Sequence, residues 1–382
     1  MRRRSFLRAV GALTASAGAG SWLAGCGPSG PEAGGLAEAA GPLAEDEYPK
    51  LIRMAPHGTW GTLVATGVMG IMQTHGYLED EFKGDGVRIQ WSITDGSGPG
   101  VNEAIANGLL DFSSYGGLPN IIGRSRGLRT RILASPGYQY SYVAVRSGFA
   151  GDSPKDLRGA TIGVAFGTYL HLSTAMLLKE HDIGLDEVRL VNLATSDAAA
   201  ALAAGRVDAC MGGVALFPLE DQGLARIIYM SEGRHTQTSG FGGFIGVEDF
   251  TRRYPLATRK VVKAYLRATH WVSLPENREA FFRFSAQHST VPLEYLRRDF
   301  EGQDLSARFN VLLDDYYVER FRQAIDFSLA HGITRSPIDL DAWLDRRTIQ
   351  DALAELGLSD FWTAWGSQGL ALGRGGRSHA PA

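Results

Sequence analysis

Apolar runs in this chain repeatedly end in glycine, hydroxyl and aromatic residues: His57-Gly58-Thr59-Trp60, Asp95-Gly96-Ser97-Gly98, Tyr115-Gly116-Gly117, Gly167-Thr168-Tyr169 and Gly212-Gly213. Where such a stretch opens a helix, the first N–H groups lack partners within the helix and carry its partial positive charge. An anion or polar ligand head can be held there without an arginine. Glycine lets the backbone approach a ligand, hydroxyls add donors, and Trp, Tyr rings form apolar walls with polar tips. The ligand-binding candidates are therefore His57, Thr59, Trp60, Gly96, Ser97, Gly98, Tyr115, Gly116, Gly167, Thr168, Tyr169, Gly212 and Gly213. Each has a plainer reading. A Gly-rich turn can be a tight strand–helix connection, Thr168 can cap its own helix, Trp60 and Tyr115 can pack, and His57 and His171 can be satisfied surface histidines.

Catalytic patterns are weaker. Gly123-Arg124-Ser125-Arg126-Gly127 matches GxSxG, but a helix-like LPNII precedes it and the strand LRTRILAS follows, the reverse of strand–turn–helix. Gly96-x-Gly98-x-Gly100 is not GxGxxG and lacks a nucleotide-binding context. HExxH, CxxC and Walker patterns are absent, so no metal or cofactor is expected and no catalytic residue is assigned.

Positioning the candidates requires strands that end together. Short apolar runs fall at 51–55, 87–93, 109–115, 130–135 and 141–146, then at 160–166, 188–193, 207–212 and 225–230, with helical patterns between most of them. That alternation predicts α/β lobes with largely parallel sheets, whose ligands bind beyond the carboxyl ends of the strands. A phrase recurs: ANGLLDF ending in Gly116-Gly117, and AAGRVDA ending in Gly212-Gly213. Each reads as a helix end, a left-handed glycine cap, an acid and a strand. Two lobes of one architecture fit better than one large sheet, and 382 residues are enough for two cores. From about residue 251 the pattern is helical throughout, and those helices are expected to pack on the first lobe.

The ends of the chain differ in character. MRRRSFLR, a weakly apolar Ala/Gly stretch and LAGC read as a secretory signal over 1–25, too short and glycine-rich for a membrane span. Arg3-Arg4-Ser5-Phe6-Leu7-Arg8 resembles a twin-arginine export motif, and Leu23-Ala24-Gly25-Cys26 resembles a bacterial lipoprotein box, making Cys26 the lipidated residue. Residues 26–48 read as a flexible tether, and 367–382 as a disordered tail. Loss of the leader removes four arginines from a chain of net charge −3, and no basic run argues for nucleic acid. Cys210 then has no disulfide partner within the chain and is expected to be buried in its strand.

Taken in order, THGYLEDEF, ANGLLDFSSYGGLP, SPKDLRGATIGVAFGTYLH, AAGRVDACMGG and the helical tail with ATRKVVKAYLRATHWV and ALAELG resemble a known family over roughly residues 50–360. It is the sulfonate/taurine/nitrate group of solute-binding proteins of ABC importers. The resemblance implies an α/β, two-lobe type II periplasmic-binding-protein fold with a cleft between the lobes and a helical C-terminal region on the first. The first lobe would comprise 49–138 and 237–366, the second 139–236, with crossings near 138–146 and 235–247. The crossing brings Tyr138 and Tyr140 near the cleft as further candidates. The resemblance further implies a monomer, lipid-anchored outside the cytoplasm, that passes a small-molecule ligand to an ABC permease and ATPase, with no nucleic acid involved. The ligand itself stays open among nitrate, bicarbonate, taurine, alkyl or aryl sulfonates and thiamine precursors. Two alternatives remain: an enzyme of the same fold, of the thiamine-pyrimidine or menaquinone type, and a ligand-sensing binding protein. The export leader and the missing cysteine-rich motif of the pyrimidine synthases weigh against the first.

Overall fold

All nine apolar runs and the GFGGFIGV segment become strands in the computed structural model, which describes residues 48–56, 64–92, 94, 97–231 and 238–372. Strands β1 (Leu51–Pro56), β2 (Arg88–Trp91), β3 (Phe112–Gly116), β4 (Thr130–Ala134) and β10 (Gly242–Val247) form one sheet in the order β2-β1-β3-β10-β4. Strands β5 (Tyr142–Arg146), β6 (Thr161–Val164), β7 (Arg189–Asn192), β8 (Ala209–Gly212) and β9 (Ala225–Met230) form the other, in the order β7-β6-β8-β5-β9. The two orders are equivalent. In each, the second strand of the order is parallel to both neighbours (β1 to β2 and β3, β6 to β7 and β8), and the fourth, inserted strand runs antiparallel to both of its own.

The inserted strand has in each case just arrived from the other lobe. The chain leaves β4, passes Gln139 and enters the second sheet as β5; it leaves β9 and returns past Gly240 as β10. Gln139 and Gly240 exchange backbone hydrogen bonds of 2.9 and 2.7 Å, so the crossings pair as a two-stranded bridge.

The repeated phrase does the same job twice. Gly108 and Gly205 take φ of +67° and +66°, and the following N–H of Leu109 or Arg206 bonds back to Ala104 or Ala201. Glycine is favoured at such helix ends because a side chain there is strained. The acid that follows stitches its strand to the next one. Asp111 accepts the Arg53 N–H at 2.8 Å and pairs with the Arg53 guanidinium at 2.6 Å. Asp208 accepts the Thr161 N–H at 3.0 Å and pairs with Arg146 at 3.0 Å. These bonds, the Thr161 N–H above all, hold the Asp208 carboxyl below its ordinary range.

Helices α1 (Gly67–Thr74), α2 (Tyr77–Glu81), α3 (Ser97–Ala106) and α4 (Gly117–Ser125) belong to the first lobe, and α5 (Tyr169–Glu180), α6 (Thr195–Ala203) and α7 (Phe217–Asp221) to the second. The tail contributes α8 (Glu248–Arg253), α9 (Pro255–Ser273), α10 (Arg278–Gln287), α11 (Leu293–Asp299), α12 (Leu305–Arg308), α13 (Asp315–Ala330), α14 (Leu340–Trp343) and α15 (Arg346–Glu355). Helix α9 buries Val261, Val262, Tyr265 and Leu266, and the Tyr265 ring stacks on Phe244 of β10 at 4.1 Å. Such a pair adds roughly 0.5–1.5 kcal/mol beyond its area. The tail thus packs on the first lobe as expected, with one addition: α11 also reaches the second.

Residues 367–372 are ordered, at the start of the segment 367–382 expected to be unstructured. Trp365 bridges Ala371, Gly369 turns at φ +73°, and the Trp365 N–H is held by Asp314 at 2.9 Å. An anchored aromatic residue fixes what composition alone reads as loose. The signal segment, Cys26, the tether to residue 47 and residues 373–382 lie outside the described residues. Among the described residues no helix is long and apolar enough to cross a membrane.

Candidate functional site

Strand β6 stops at Val164 and the chain turns through Ala165-Phe166-Gly167 into α5. Gly167 sits at φ +76°, where a side chain is strained. Thr168 has the extended geometry of a helix cap, φ −99° and ψ 170°, yet it caps nothing. Its hydroxyl donates backwards to the Ala165 carbonyl at 2.7 Å. Among the described residues, the N–H groups of Thr168, Tyr169 and Leu170 therefore meet no acceptor. A helix start left open in this way carries the unpaired donors and partial charge that favour an anion. Beside it the Phe166 ring stacks on His171 at 4.6 Å, and burial lowers the His171 pKa, which favours the neutral imidazole.

The first lobe brings two more helix starts to this point. Gly116 ends β3 and caps α4 without a side chain to offer. The Gly117 N–H bonds to the Phe241 carbonyl at 2.7 Å, and a Cβ at Gly117 would fall 2.2 Å from the Phe241 ring. In the first turn of α3, a Cβ at Gly98 would fall 2.3 Å from Pro119 of α4. Asn102 of α3 accepts from the Tyr115 hydroxyl at 2.9 Å and donates to the Pro119 carbonyl at 2.7 Å. Helices α3 and α4 are thereby locked side by side.

Across the cleft the lobes touch. The Tyr169 Cβ is 3.6 Å from where a Gly116 Cβ would stand, and Pro99 is 3.9 Å from where one at Gly167 would stand. Leu172, Ala175 and Met176 of α5 are buried in the first lobe's core. The Tyr169 ring lies against Gly240, where a Cβ would come within 2.8 Å. Burial, with the Asp299 carboxylate adding to it, pushes the Tyr169 hydroxyl up to about 12, so at neutral pH it is a neutral donor.

Of the sequence candidates, Gly98, Gly116, Gly167, Thr168 and Tyr169 come together where the three helices start. Tyr115 joins them as scaffold rather than as a wall: it is 4% exposed and its hydroxyl is tied to Asn102. Gly212 ends β8 and Gly213 follows it; a Cβ at Gly212 would meet Leu216 and one at Gly213 nothing, and among the described residues neither is seen against the first lobe. His57, Thr59, Trp60 and Gly96 lie outside the described residues, and Ser97 is placed only as the first residue of α3. Tyr138 and Tyr140 flank the crossing and face the Arg308 guanidinium, 5.9 and 4.5 Å from their ring centres.

Sequence reasoning passed over Pro99, Asn102, Phe241 and Thr94. The Thr94 hydroxyl is buried without a partner among the described residues, just after β2. Its place in the polar stretch Thr94-Asp95-Gly96-Ser97 was the available signal. Phe241 had none, because its contact with Gly117 spans more than 120 residues of chain.

The hydrolase-like pattern dissolves into packing. Gly123 lies inside α4, where a Cβ would fall 2.7 Å from the Asn102 amide oxygen, and Gly127 follows the helix at φ +93°. Cys210 is 1% exposed on β8, and burial pushes its thiol up to about 12, which makes it unreactive. Among the described residues no group of three His, Cys, Asp or Glu could hold a metal.

Two α/β lobes of equivalent topology, joined by paired crossings and closing over helix starts, define the type II periplasmic-binding-protein class. The NMT1/THI5-like family model matches residues 71–277, and the chain belongs to that family. A Bacillus subtilis (strain 168) protein assigned to aliphatic sulfonate binding is 24% identical over 290 residues, covering 75% of this chain and 84% of the relative. A solved structure from Methylobacillus flagellatus KT, assigned as the periplasmic sulfonate-binding protein of an ABC transporter, is 29% identical with a TM-score of 0.74. That match covers 83% of this chain and 98% of the other. The desulfurization enzyme DSZB shares the fold at 18% identity and a TM-score of 0.62, over 80% of this chain and 99% of its own.

Proposed function

We propose that this protein is an extracytoplasmic solute-binding lipoprotein that captures a small organic anion of the sulfonate type between its lobes and delivers it to an ABC importer. The observation that carries this reading is the uncapped start of α5. Among the described residues the N–H groups of Thr168, Tyr169 and Leu170 meet no acceptor, at the point where Tyr169 meets Gly116 and Gly167 meets Pro99 of the other lobe. A tetrahedral anion there accepts backbone donors from a helix start, with the exposed Phe166 ring as an apolar edge. Ligand bridging both lobes selects the closed arrangement, because only there do the α5 donors and the first-lobe residues reach it together. The sulfonate assignment of the two relatives supports the ligand class, and the Leu23-Ala24-Gly25-Cys26 box supports anchoring through Cys26. We assign no catalytic step: the cysteine is buried, and the serine of the hydrolase-like pattern ends a helix.

The test is a thermal-shift panel on ligand-stripped protein with sulfonates, taurine, nitrate, bicarbonate and thiamine precursors. Ligand at about 1,000 times its dissociation constant adds roughly 4 kcal/mol, a rise of several degrees. A shift confined to sulfonates is the expected result. A shift with none of the anions overturns the ligand class.

A further inference from the structure

The two crossings are not all that joins the lobes. Helix α11, from the tail, has one side on each. Towards the first lobe, Phe300 at its end packs among Phe281, Phe282 and Phe309, all within 6.2 Å between ring centres. Arg297 pairs with Glu279 of α10 at 2.7 Å, a contact wholly within the tail. Towards the second lobe, Arg298 pairs with Glu220 and, at 3.2 Å, with Asp221, both on α7, and lies over the Phe217 ring at 4.2 Å.

Deeper in, α11 touches the hinge itself. The Tyr142 hydroxyl, on β5 just beyond the first crossing, donates to Asp299 at 2.6 Å. The same carboxylate is held by Arg308 at 2.6 Å in an ion pair whose members are 5% (Asp299) and 3% (Arg308) exposed. Arg308 also fixes the crossing, since its carbonyl accepts the Tyr138 N–H at 3.0 Å and leaves no room for a side chain at Gly137. The Tyr169 ring lies against Gly240, which pairs with Gln139 of that crossing.

We propose that α11 is a strap holding the second lobe closed, so that the open–closed balance is set by the tail as well as by ligand. Entry of a solute requires the lobes to part, because Gly116 meets Tyr169 and Pro99 meets Gly167 in the closed arrangement. Parting rotates α7 away from a helix rooted in the first lobe's aromatic cluster. The Arg298 contacts and the Tyr142 bond therefore stabilise the closed state selectively, and contacts made in one state only are what shift a two-state balance.

The experiment needs no ligand. Small-angle scattering of the ligand-free full chain is fitted as a mixture of closed and opened lobes, with hydrogen exchange read at the starts of α4 and α5. Arg298→Ala is expected to lower the closed-to-open ratio three- to tenfold and to speed that exchange, with Tyr142→Phe acting in the same direction. Arg298→Lys keeps the charge but not the planar fork and stack, and is expected to lie between Arg298→Ala and the unaltered protein. Arg297→Ala, which breaks the neighbouring pair within the tail, is expected to change neither readout. Scattering and exchange unchanged in Arg298→Ala and Tyr142→Phe, or moved equally by Arg297→Ala, overturn the strap.

Discussion

Replacing Thr168 by aspartate separates stability from binding at the start of α5. The backbone there already has the extended geometry of a helix cap, so an aspartate fits without rearrangement. Its carboxylate accepts the open Leu170 N–H, a gain of about 0.5–2 kcal/mol, and the helix dipole adds about 0.3–1 kcal/mol. The lost bond from the hydroxyl to Ala165 offsets about 1 kcal/mol of this. The ligand-free protein is thus expected to keep or slightly raise its Tm, by about 1–2 °C for a chain of this size. Anion binding goes the other way. The ligand loses a donor worth about 1.5–3 kcal/mol and meets a like charge about 4 Å away, costing about 4 kcal/mol near a protein surface. Affinity is expected to fall by more than 1,000-fold. Calorimetric titration with the sulfonate that shifts the Tm most, beside thermal unfolding without ligand, measures both. Thr168→Ala, which removes only the Ala165 bond, should keep affinity within a few-fold. A Thr168→Asp protein that melts several degrees lower, or that still binds the sulfonate as tightly, refutes the open-helix-start account.

Two other outcomes follow from the same geometry. Gly117→Ala places a methyl 2.2 Å from the half-buried Phe241 ring, and denaturant unfolding should show a loss of about 1–3 kcal/mol, with weaker ligand binding as α4 is displaced; unchanged stability would mean that the contact is not tight. Asp208 has a depressed pKa in the folded chain, so its stabilisation is complete above the unfolded carboxylate value near 3.9 and is lost as pH falls through the lower folded value. Melting temperatures between pH 5 and 2 should therefore fall less steeply for Asp208→Asn than for the unaltered chain, and parallel curves would contradict the assignment.

The strand pattern, the repeated phrase and the helical tail were legible because each depends on local rules: alternation of apolar runs, a left-handed glycine at 108 and 205, and acids at 111 and 208 beside the next strand. The glycine-rich ends of β3 and β6 also put Gly116, Gly167, Thr168 and Tyr169 among the candidates, without setting them apart from the other strand ends. Whether such a turn serves a ligand or only connects two elements was not legible. Thr168 as a cap and Thr168 as an uncapped start have the same sequence, and the direction of one hydroxyl distinguishes them.

The sequence by itself therefore determined two α/β lobes, their internal repetition and the short list of places where a ligand could sit. Only the tertiary structure decided which of those places meet. Tyr115 became scaffold because Asn102, thirteen residues earlier, takes its hydroxyl. Gly123 proved to be a packing position because α3 presses on α4 there. The contacts of Tyr142 with Asp299 and of Phe217 with Arg298 join residues separated by about 80 to 160 positions. No periodicity encodes contacts at that separation. They arise when the crossings bring two independently readable lobes and a long tail to the same hinge.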